Sequence, residues 1–231
     1  MGTNMATILI TGASRGIGAE MARQAAARGD KVIATMREPA TAELPDEIER
    51  HKLDVKSEAG QLQLALELGS RPIDLLICNA GVFQGRGGIN DADLNFTAWE
   101  NTLMTNVAGV FFTIRSFLPN LHAAQAATGN ARIAVISSQM GSSEKADGQH
   151  YAYRASKAAA SNLVFNLAHD LKADNIAVGA YHPGWVQTGM GGDTADVTAA
   201  DSASGLLSEF DALTMQRSGC FRTWDGKDHP K

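Results

Sequence analysis

The sequence predicts one α/β domain built on a doubly wound parallel β-sheet with helices on both faces. Three observations support this prediction. Short apolar runs typical of strands alternate with longer stretches of helical periodicity along the chain. A glycine-rich turn, residues 11–18, lies between the first apolar run and the first helical stretch. The 231 residues are 44% hydrophobic, which suits a single domain that we place over residues 1–231.

Seven short runs are predicted as strands. The five clearest are dominated by apolar residues, as expected for strands buried on both faces of a sheet. They are residues 7–10, 32–35, 75–78, 132–136 and 176–181. Residues 51–55 are predicted as a further short strand, and residues 219–224 as a last strand at the sheet edge.

Four stretches between these runs have the period of an amphipathic helix. They are residues 19–27, 61–68, about 99–122 and 156–172. Strands that alternate with helices are joined by right-handed crossovers, which predicts a parallel sheet covered on both faces.

Two segments rich in Gly and Asp are predicted as functional loops, residues 84–93 and 184–201. Because open α/β sheets bind ligands at the carboxyl ends of their strands, we expect the second segment to act as a lid. Phe83, Trp185 and Met190 are candidates for an apolar wall of the substrate pocket.

Composition and charge exclude several classes of function. The net charge of −5 and the absence of a Lys/Arg-rich stripe argue against a nucleic-acid partner. The only cysteines are Cys78 and Cys220, far apart in sequence, which argues against a disulfide scaffold and predicts a reducing compartment. The six histidines are scattered without ligand spacing, so no metal site is predicted.

The sequence lacks membrane and targeting features. No apolar run approaches the length needed to span a bilayer, and the first residues lack a basic patch followed by an apolar core. We therefore expect a soluble, cytoplasmic protein without a membrane partner. Met1 and Met5 are alternative starts, and a start at Met5 would make residues 1–4 an addition to the natural chain.

The glycine turn predicts a dinucleotide site. Gly12, Gly16 and Gly18 form a G-x-x-x-G-x-G pattern between the first strand and the first helix. One glycine allows the tight turn, one lets a phosphate approach the backbone, and one lets the helix pack on the sheet. Backbone N–H groups and the helix dipole would then bind a pyrophosphate, as in Rossmann-like folds. A purely structural turn is the alternative.

Two arginines favour NADP over NAD. An acidic residue at the end of the second strand would bind the ribose hydroxyls and repel a 2′-phosphate. Here the segment has no acid before Glu38, whereas Arg37 and Arg15 could hold the phosphate from two sides. Ordinary surface positions are the alternative for both arginines. After the fourth strand, Asn79-Ala80 and the following glycine are small, as expected where backbone passes close to a cofactor.

A second motif predicts carbonyl chemistry. Tyr153 and Lys157 are four residues apart, so a helix would place the phenol and the ammonium on one face. A nearby ammonium lowers the pKa of a phenol, which would let Tyr153 exchange a proton near neutrality. Tyr151 is six residues from Lys157 and would face elsewhere on the helix.

These motifs, in this order, resemble the short-chain dehydrogenase/reductase family over essentially the whole chain. The matching residues are 11–18, Asp54-Val55, Asn79-Ala80-Gly81, Asn106, Ser137-Ser138, Tyr153 with Lys157, and Pro183-Gly184. Within the family, residues 151–157 and 182–188 are most similar to the C-factor and Sniffer-like carbonyl reductases. Cys78 departs from the family's Asn-Asn-Ala-Gly run at its first position only.

The resemblance implies a catalytic tetrad of Asn106, Ser138, Tyr153 and Lys157. Tyr153 would donate a proton and Ser138 would bond to the same substrate oxygen, while Lys157 would also bind the nicotinamide ribose. Asn106 would hold a water that links Lys157 to solvent, with a core asparagine bonded to backbone as the alternative. Ser138 matches the family's serine better than Ser137, because alternation along a strand points the two serines to opposite sides.

The resemblance also implies the cofactor contacts. Asp54 would accept a hydrogen bond from the adenine amino group, although a carboxylate that only caps its loop would look the same. Thr188 would hold the nicotinamide carboxamide. The full predicted set is Gly12, Ser14, Arg15, Gly16, Ile17, Gly18, Arg37, Asp54, Val55, Asn79, Ala80, Gly81, Tyr153, Lys157, Pro183, Gly184, Val186 and Thr188.

The predicted function is therefore that of an NADP-dependent carbonyl reductase or alcohol dehydrogenase, with Tyr153 as general acid and base. Its partner would be a small or medium apolar carbonyl or alcohol substrate, and Gln149 and His150 are further candidates for substrate contact. An NADP-binding signalling protein with little or no turnover is the alternative. The family further implies a homodimer or homotetramer, paired through the helices at 99–122 and 156–172.

Overall fold

The strands found among the described residues, 5–230, join one parallel sheet in the computed structural model of the protein. They are β1 (Thr7–Thr11), β2 (Lys31–Met36), β3 (Glu49–Lys52), β4 (Leu75–Cys78), β5 (Ala131–Ile136), β6 (Ile176–His182) and β7 (Cys220–Thr223). Every neighbouring pair is parallel, in the order β3-β2-β1-β4-β5-β6-β7. The direction of winding reverses between β1 and β4, so their carboxyl ends open the crevice where such sheets bind ligands.

Helices cover both faces of the sheet. They are α1 (Gly16–Ala27), α2 (Glu58–Leu68), α3 (Phe96–Leu103), α4 (Gly109–Thr128), α5 (Tyr151–Asp170) and α6 (Ala199–Asp211). α1 and α6 pack on one face through residues such as Met21 and Phe210, and α4 and α5 pack on the other through Phe117 and Val164. β4, β5 and β6 are buried along their whole length, as expected between two helical layers. The predicted doubly wound, Rossmann-like fold is confirmed.

The third strand ends earlier than the predicted range, residues 51–55. The Leu53 N–H still donates to the Met36 carbonyl at 2.8 Å, but the chain then turns, and the Asp54 carboxylate accepts the Lys56 N–H at 3.0 Å. Leu53 and Val55 pack into the core beneath the sheet. Buried residues two positions apart, such as Leu53 and Val55, resemble one face of a strand. The predicted strand was therefore placed too far along the chain.

The helix predicted at 99–122 is divided. α3 passes into a π-helical turn, Met104–Ala108, before α4 begins. Such turns recur at functional sites and are not visible in apolar periodicity. Here the turn carries Asn106, one of the predicted catalytic residues.

α6 was missed, because the segment 184–201 was predicted as loop throughout. Thr198 caps this helix: its hydroxyl accepts the Asp201 N–H at 3.0 Å and donates to the Asp201 carboxylate at 2.7 Å. The spacing of these two residues is close to a capping box and was the available signal in the sequence.

None of the helices in residues 5–230 combines the length and the apolar character needed to cross a bilayer. In the same range, no group of three or more His, Cys, Asp and Glu residues is arranged to hold a metal ion. Cys78 and Cys220 are both free thiols. Residues 1–4 and 231 lie outside the described residues, and so do both ends of the predicted domain, 1–231.

Candidate active site

The main cleft lies at the carboxyl ends of β1, β2, β4, β5 and β6 and has a volume of about 520 Å³. The predicted site residues that line it are Gly12, Ser14, Arg15, Gly16, Ile17, Gly18, Arg37, Asp54, Val55, Asn79, Ala80, Gly81, Tyr153, Lys157, Pro183 and Thr188. Four predicted residues do not border it: Asn106, Ser138, Gly184 and Val186. The glycine turn and the Tyr153–Lys157 motif, predicted separately, therefore share one cavity.

Close packing requires two of the glycines. Gly12 has a left-handed φ of +69°, and a Cβ there would lie 2.7 Å from the Cα of Ala80. A Cβ on Gly18 would lie 2.5 Å from the Gly12 carbonyl oxygen. Gly16 differs, because a Cβ there would meet only the side chain of Thr188, at 3.4 Å or more. The turn thus brings the start of α1 against the end of β4, an approach that only glycine allows.

Asn79 ties the glycine turn to the end of β4. Its side-chain amide donates to the Thr11 and Gly12 carbonyls at 2.9 and 3.1 Å. In return, the Thr11 hydroxyl accepts the N–H groups of Asn79 and Ala80 at 3.0 and 3.2 Å. These bonds fix the two strand ends that flank the reversal of winding.

The start of α1 suits a phosphate group. Arg15 occupies the N-cap position without making a side-chain cap, so the first N–H groups of the helix are left for another acceptor. Arg15 and Arg37 are exposed, line the cleft, and form no ion pair with a carboxylate of residues 5–230. β2 ends at Met36 with no acidic side chain before Glu38. This donor set fits the phosphates of a dinucleotide, including one on the ribose 2′ position.

Asp54 caps its loop and also borders the cleft. One carboxylate oxygen caps the loop through the Lys56 N–H, and the residue also lines the cleft. Its second carboxylate oxygen takes no hydrogen bond from the described residues, so it can accept one from a ligand. Val55 is buried beside it and holds the Gln61 side chain through its carbonyl, at 2.5 Å.

Tyr153 and Ser138 meet at the site. Tyr153 lies in the first turn of α5, is 8% exposed, and hydrogen-bonds to the Ser138 hydroxyl. Ser138 follows β5, where its hydroxyl also accepts the Met140 N–H at 3.2 Å. Ser137 borders the cleft, but its hydroxyl is turned toward α5 and lies 2.8 Å from that of Ser161. The two serines point to opposite sides, and Ser138 is the one that contacts the phenol.

Lys157 is buried beside Tyr153. Its Nζ lies 5.6 Å from the centre of the Tyr153 ring and donates to the Ile136 carbonyl at 2.7 Å. Burial lowers the pKa of Lys157 to about 8. Burial raises the pKa of Tyr153 to about 12, against smaller lowering effects from the Ser138 hydrogen bond and the Arg86 charge. This direction is opposite to the predicted lowering of the Tyr153 pKa, because loss of hydration outweighs both of these effects.

Asn106 is engaged with protein groups. Its Oδ1 accepts the Val82 N–H, and its Nδ2 donates to the Val82 carbonyl and to the Ser156 hydroxyl, each at 2.9 Å. Ser156 in turn donates to the Tyr153 carbonyl at 2.7 Å. Both amide hydrogens are used by protein groups, as the structural alternative predicts, and the role of Asn106 in holding a water stays a prediction. It fastens the loop after β4 to the first turn of α5.

The segment after β6 lies only partly in the cleft. Pro183 and Thr188 line it. Gly184 has a φ of +89° and packs against Trp224, where a Cβ would lie 2.9 Å from the indole nitrogen. Val186 is buried and pairs with a later residue of the same segment. The structure places Gly184 and Val186 in the packing that shapes this segment rather than in the cleft wall.

Phe83 and Arg86 form a wall that the sequence predicted only in part. Phe83 stacks on Tyr153, with ring centres 4.2 Å and planes 22° apart. The Arg86 guanidinium lies 4.5 Å from the centre of the Phe83 ring and donates to the Met190 carbonyl at 2.9 Å. Of the three residues predicted as an apolar wall, Phe83 and Met190 line the cleft and Trp185 does not. Arg86 was missed, and its only signal was its place in the predicted loop 84–93.

His150 positions the start of α5. It has a left-handed φ of +60°, which is uncommon for a residue other than glycine. Its N–H donates to the Gly87 carbonyl at 3.2 Å, and its ring packs edge-on against Phe83 with centres 5.1 Å apart. His150 does not border the cleft, and burial lowers its pKa. The ring of His150 contacts Phe83, and its predicted contact with substrate stays a prediction.

A doubly wound sheet whose cleft contains an uncapped helix start is typical of dinucleotide-binding proteins. The chain belongs to the short-chain dehydrogenase family, whose model matches residues 6–198. The family resemblance drawn from the motifs is confirmed.

Known proteins similar to this chain include the C-signal and carbonyl reductases. The chain is 38% identical to the C-signal of Myxococcus xanthus over 160 residues, which cover 69% of this chain and 93% of that protein. The structure of the carbonyl reductase Sniffer of D. melanogaster superposes with a TM-score of 0.92 at 26% identity, covering 99% of this chain and 100% of that one. The NADPH-bound carbonyl reductase from chicken fatty liver superposes with a TM-score of 0.87 at 28% identity, with the same coverage of both chains.

Proposed function

We propose that the protein is an NADP-dependent carbonyl reductase or alcohol dehydrogenase and that residues 1–231 form one NADP-binding domain. The observation that carries the proposal is the position of Tyr153. This residue hydrogen-bonds to Ser138 and lines the same cleft as the uncapped start of α1. The similarity to two carbonyl reductases, one of them with NADPH bound, supports the same conclusion.

The nucleotide is held by residues at the ends of β1, β2 and β4. When bound, NADPH supplies the hydride that reduces a carbonyl carbon. The start of α1 binds the pyrophosphate, and Arg15 with Arg37 binds the 2′-phosphate. The free carboxylate oxygen of Asp54 faces the adenine, while Thr188 serves the nicotinamide end. Because no acid stands before Glu38, we propose NADP over NAD.

Tyr153 and Ser138 act on the substrate oxygen. Hydride addition leaves negative charge on that oxygen, and the charge needs a proton or a hydrogen-bond donor. Tyr153 gives up its O–H proton, which forms the new O–H bond of the alcohol, and Ser138 donates a hydrogen bond to the same oxygen. With a pKa raised to about 12, Tyr153 carries its proton at neutral pH. This protonation state suits the reductive direction.

Lys157 stabilises the phenolate that remains. Its pKa of about 8 keeps it positively charged at neutral pH, and the Ile136 carbonyl holds it beside the ring of Tyr153. Asn106 is a positioning residue, because it acts through Ser156 on the Tyr153 backbone.

A panel of aldehydes, ketones and quinones tests the proposed activity. The purified protein should oxidise NADPH at a rate that depends on at least one of these compounds, and NADPH should bind in their absence. Binding of NADPH without turnover of any compound would favour the second candidate, a signalling protein that uses the nucleotide without catalysis. The similarity to the C-signal is the observation that favours this candidate.

We also propose a cytoplasmic homodimer or homotetramer. Leu103, Met104 and Phe111 expose apolar surface along α3, the π-helical turn and α4, and this surface supports pairing of those helices. The two free thiols support a reducing compartment. Sedimentation analysis should give a mass of two or four chains, and Phe111→Glu should shift it toward one chain.

A further inference from the structure

The charge of the cleft differs from that of the chain. The chain has a formal net charge of −5, yet five cations line the cleft: Arg15, Arg37, Lys56, Arg86 and Lys157. Asp54 is the only acidic residue among the described residues that border it. A cleft lined by more positive than negative side chains attracts anionic ligands. The nucleotide accounts for Arg15 and Arg37 under the proposed function, and Lys157 serves Tyr153. Lys56 is hydrogen-bonded to Asn101 at 2.8 Å, which leaves Arg86 without an assigned role.

Arg86 adjoins the reacting end of the cleft. Its guanidinium lies 4.5 Å from the centre of the Phe83 ring, which in turn stacks 4.2 Å from the ring of Tyr153. A substrate whose carbonyl oxygen meets Tyr153 and Ser138 can therefore lay its body along Phe83. A second polar group of that substrate then reaches Arg86.

The Arg86 guanidinium has unused hydrogen-bond donors. A guanidinium carries five N–H donors, and the Arg86 side chain uses one hydrogen bond, to the Met190 carbonyl. Within residues 5–230 no carboxylate lies within 4.0 Å of it, whereas Arg154 and Arg222 each have an acidic partner. The cation–π contact with the Phe83 ring holds the guanidinium without using its hydrogen-bond donors. Such a group is suited to a carboxylate, which it can bind through two parallel bonds.

We propose that Arg86 binds a carboxylate of the substrate and that oxo acids are the preferred substrates of this cleft. The inference rests on the proposed reduction of carbonyl compounds and adds the class of compound. An apolar body packs along Phe83 and Met190, with the carbonyl group at Tyr153 and the carboxylate at Arg86. Neutral carbonyl compounds of the same size bind without this contact and are turned over less efficiently.

Binding of benzoate and benzamide, measured by calorimetry on the protein alone and on its NADPH complex, tests the inference without turnover. These probes have nearly the same shape and differ in charge. Benzoate is expected to bind about tenfold more tightly than benzamide, as a charged, bidentate contact implies. Arg86→Gln should abolish this preference. Lys56→Gln, which removes another cation of the cleft that is bonded to Asn101 at 2.8 Å, should retain it.

A kinetic comparison separates this inference from the proposed function. Reduction of 4-carboxybenzaldehyde is expected to lose about tenfold in kcat/KM in Arg86→Gln, while 4-methylbenzaldehyde changes little. Equal losses for both aldehydes would overturn the inference and make Arg86 a clamp on the Met190 segment. A benzoate preference that persists in Arg86→Gln, or none in the wild type, would also overturn it. Selective benzoate binding without turnover of any aldehyde would support the carboxylate site at Arg86. It would contradict the proposed function instead.

Discussion

The ammonium of Lys157 lies 5.6 Å from the centre of the Tyr153 ring, held by a 2.7 Å hydrogen bond to the Ile136 carbonyl. Both side chains are buried, and burial moves their pKa values apart, to about 8 for Lys157 and about 12 for Tyr153. At neutral pH the pair is a neutral phenol beside a cation. This is the state from which a proton can be given to a carbonyl oxygen.

Reduction is expected to slow above the Lys157 pKa of about 8. Loss of that proton removes the charge that stabilises the forming phenolate, whereas Tyr153 keeps its own proton up to a pKa of about 12. The kcat/KM for reduction should therefore be level at lower pH and fall toward about tenfold per pH unit at higher pH. Lys157→Met should be slow and lack this step. A wild-type profile that stays flat between about pH 7 and about pH 10 would contradict the assignment.

Gly12→Ala is expected to destabilise the fold by about 2 kcal/mol or more. The new Cβ would lie 2.7 Å from the Ala80 Cα, and the φ of +69° disfavours a side chain. Gly29→Ala is the matched control, because Gly29 has a φ of +96° but no atom within 4 Å of an added Cβ. Denaturant unfolding should show a clearly smaller loss for Gly29→Ala, of about 1 kcal/mol. Equal losses would mean that the contact with Ala80 is unimportant.

Arg37→Ala is expected to weaken NADPH binding by about tenfold or more while leaving NADH binding nearly unchanged. The arginine lines the cleft and has no acidic partner within residues 5–230, so its charge is available to a 2′-phosphate. Titration of both nucleotides by protein fluorescence measures the ratio. Arg23→Ala is the control, since Arg23 pairs with Glu20 at 2.9 Å and does not line the cleft. Tighter binding of NADH than NADPH by the wild type would refute the proposed preference.

Asn106→Ala is expected to lower the free energy of unfolding by about 2–4 kcal/mol. It removes three hydrogen bonds and leaves both backbone groups of Val82 without this partner. Asn166→Ala removes an asparagine of α5 whose bonds are exposed, and should change stability by about 0.5 kcal/mol or less. Similar unfolding curves for the two variants would contradict the role of Asn106 as a fastening between the β4 loop and α5.

The sequence predicted the fold and most of the cleft because both depend on local patterns. Gly12 and Gly18 are required by close packing, and Tyr153 and Lys157 are neighbours on one helix face, so spacing alone identified them. The end of β3 was placed too late, and α6 was missed. At both points the boundary of the strand or helix is set by a backbone N–H that donates to a side chain, Asp54 or Thr198. The apolar pattern of the sequence does not show this hydrogen bond.

Properties that depend on contacts between distant segments were not predictable. Arg86 acquires its role through Phe83 and through Met190, which is more than a hundred residues away in sequence. The sign of the Tyr153 pKa shift depends on burial by the whole fold, which outweighs the Ser138 hydrogen bond and the Arg86 charge. The side-chain hydrogen bonds of Asn106 likewise depend on the loop after β4.

Single-turnover oxidation of NADPH by Tyr153→Phe, with Tyr151→Phe as control, tests the central claim most directly. Tyr153→Phe should bind NADPH as tightly as the wild type and reduce the best carbonyl substrate about 100-fold more slowly or worse, because the proton donor is lost. Tyr151 does not line the cleft, and its replacement should leave the rate unchanged. Wild-type turnover by Tyr153→Phe would contradict the assignment of this residue as the proton donor.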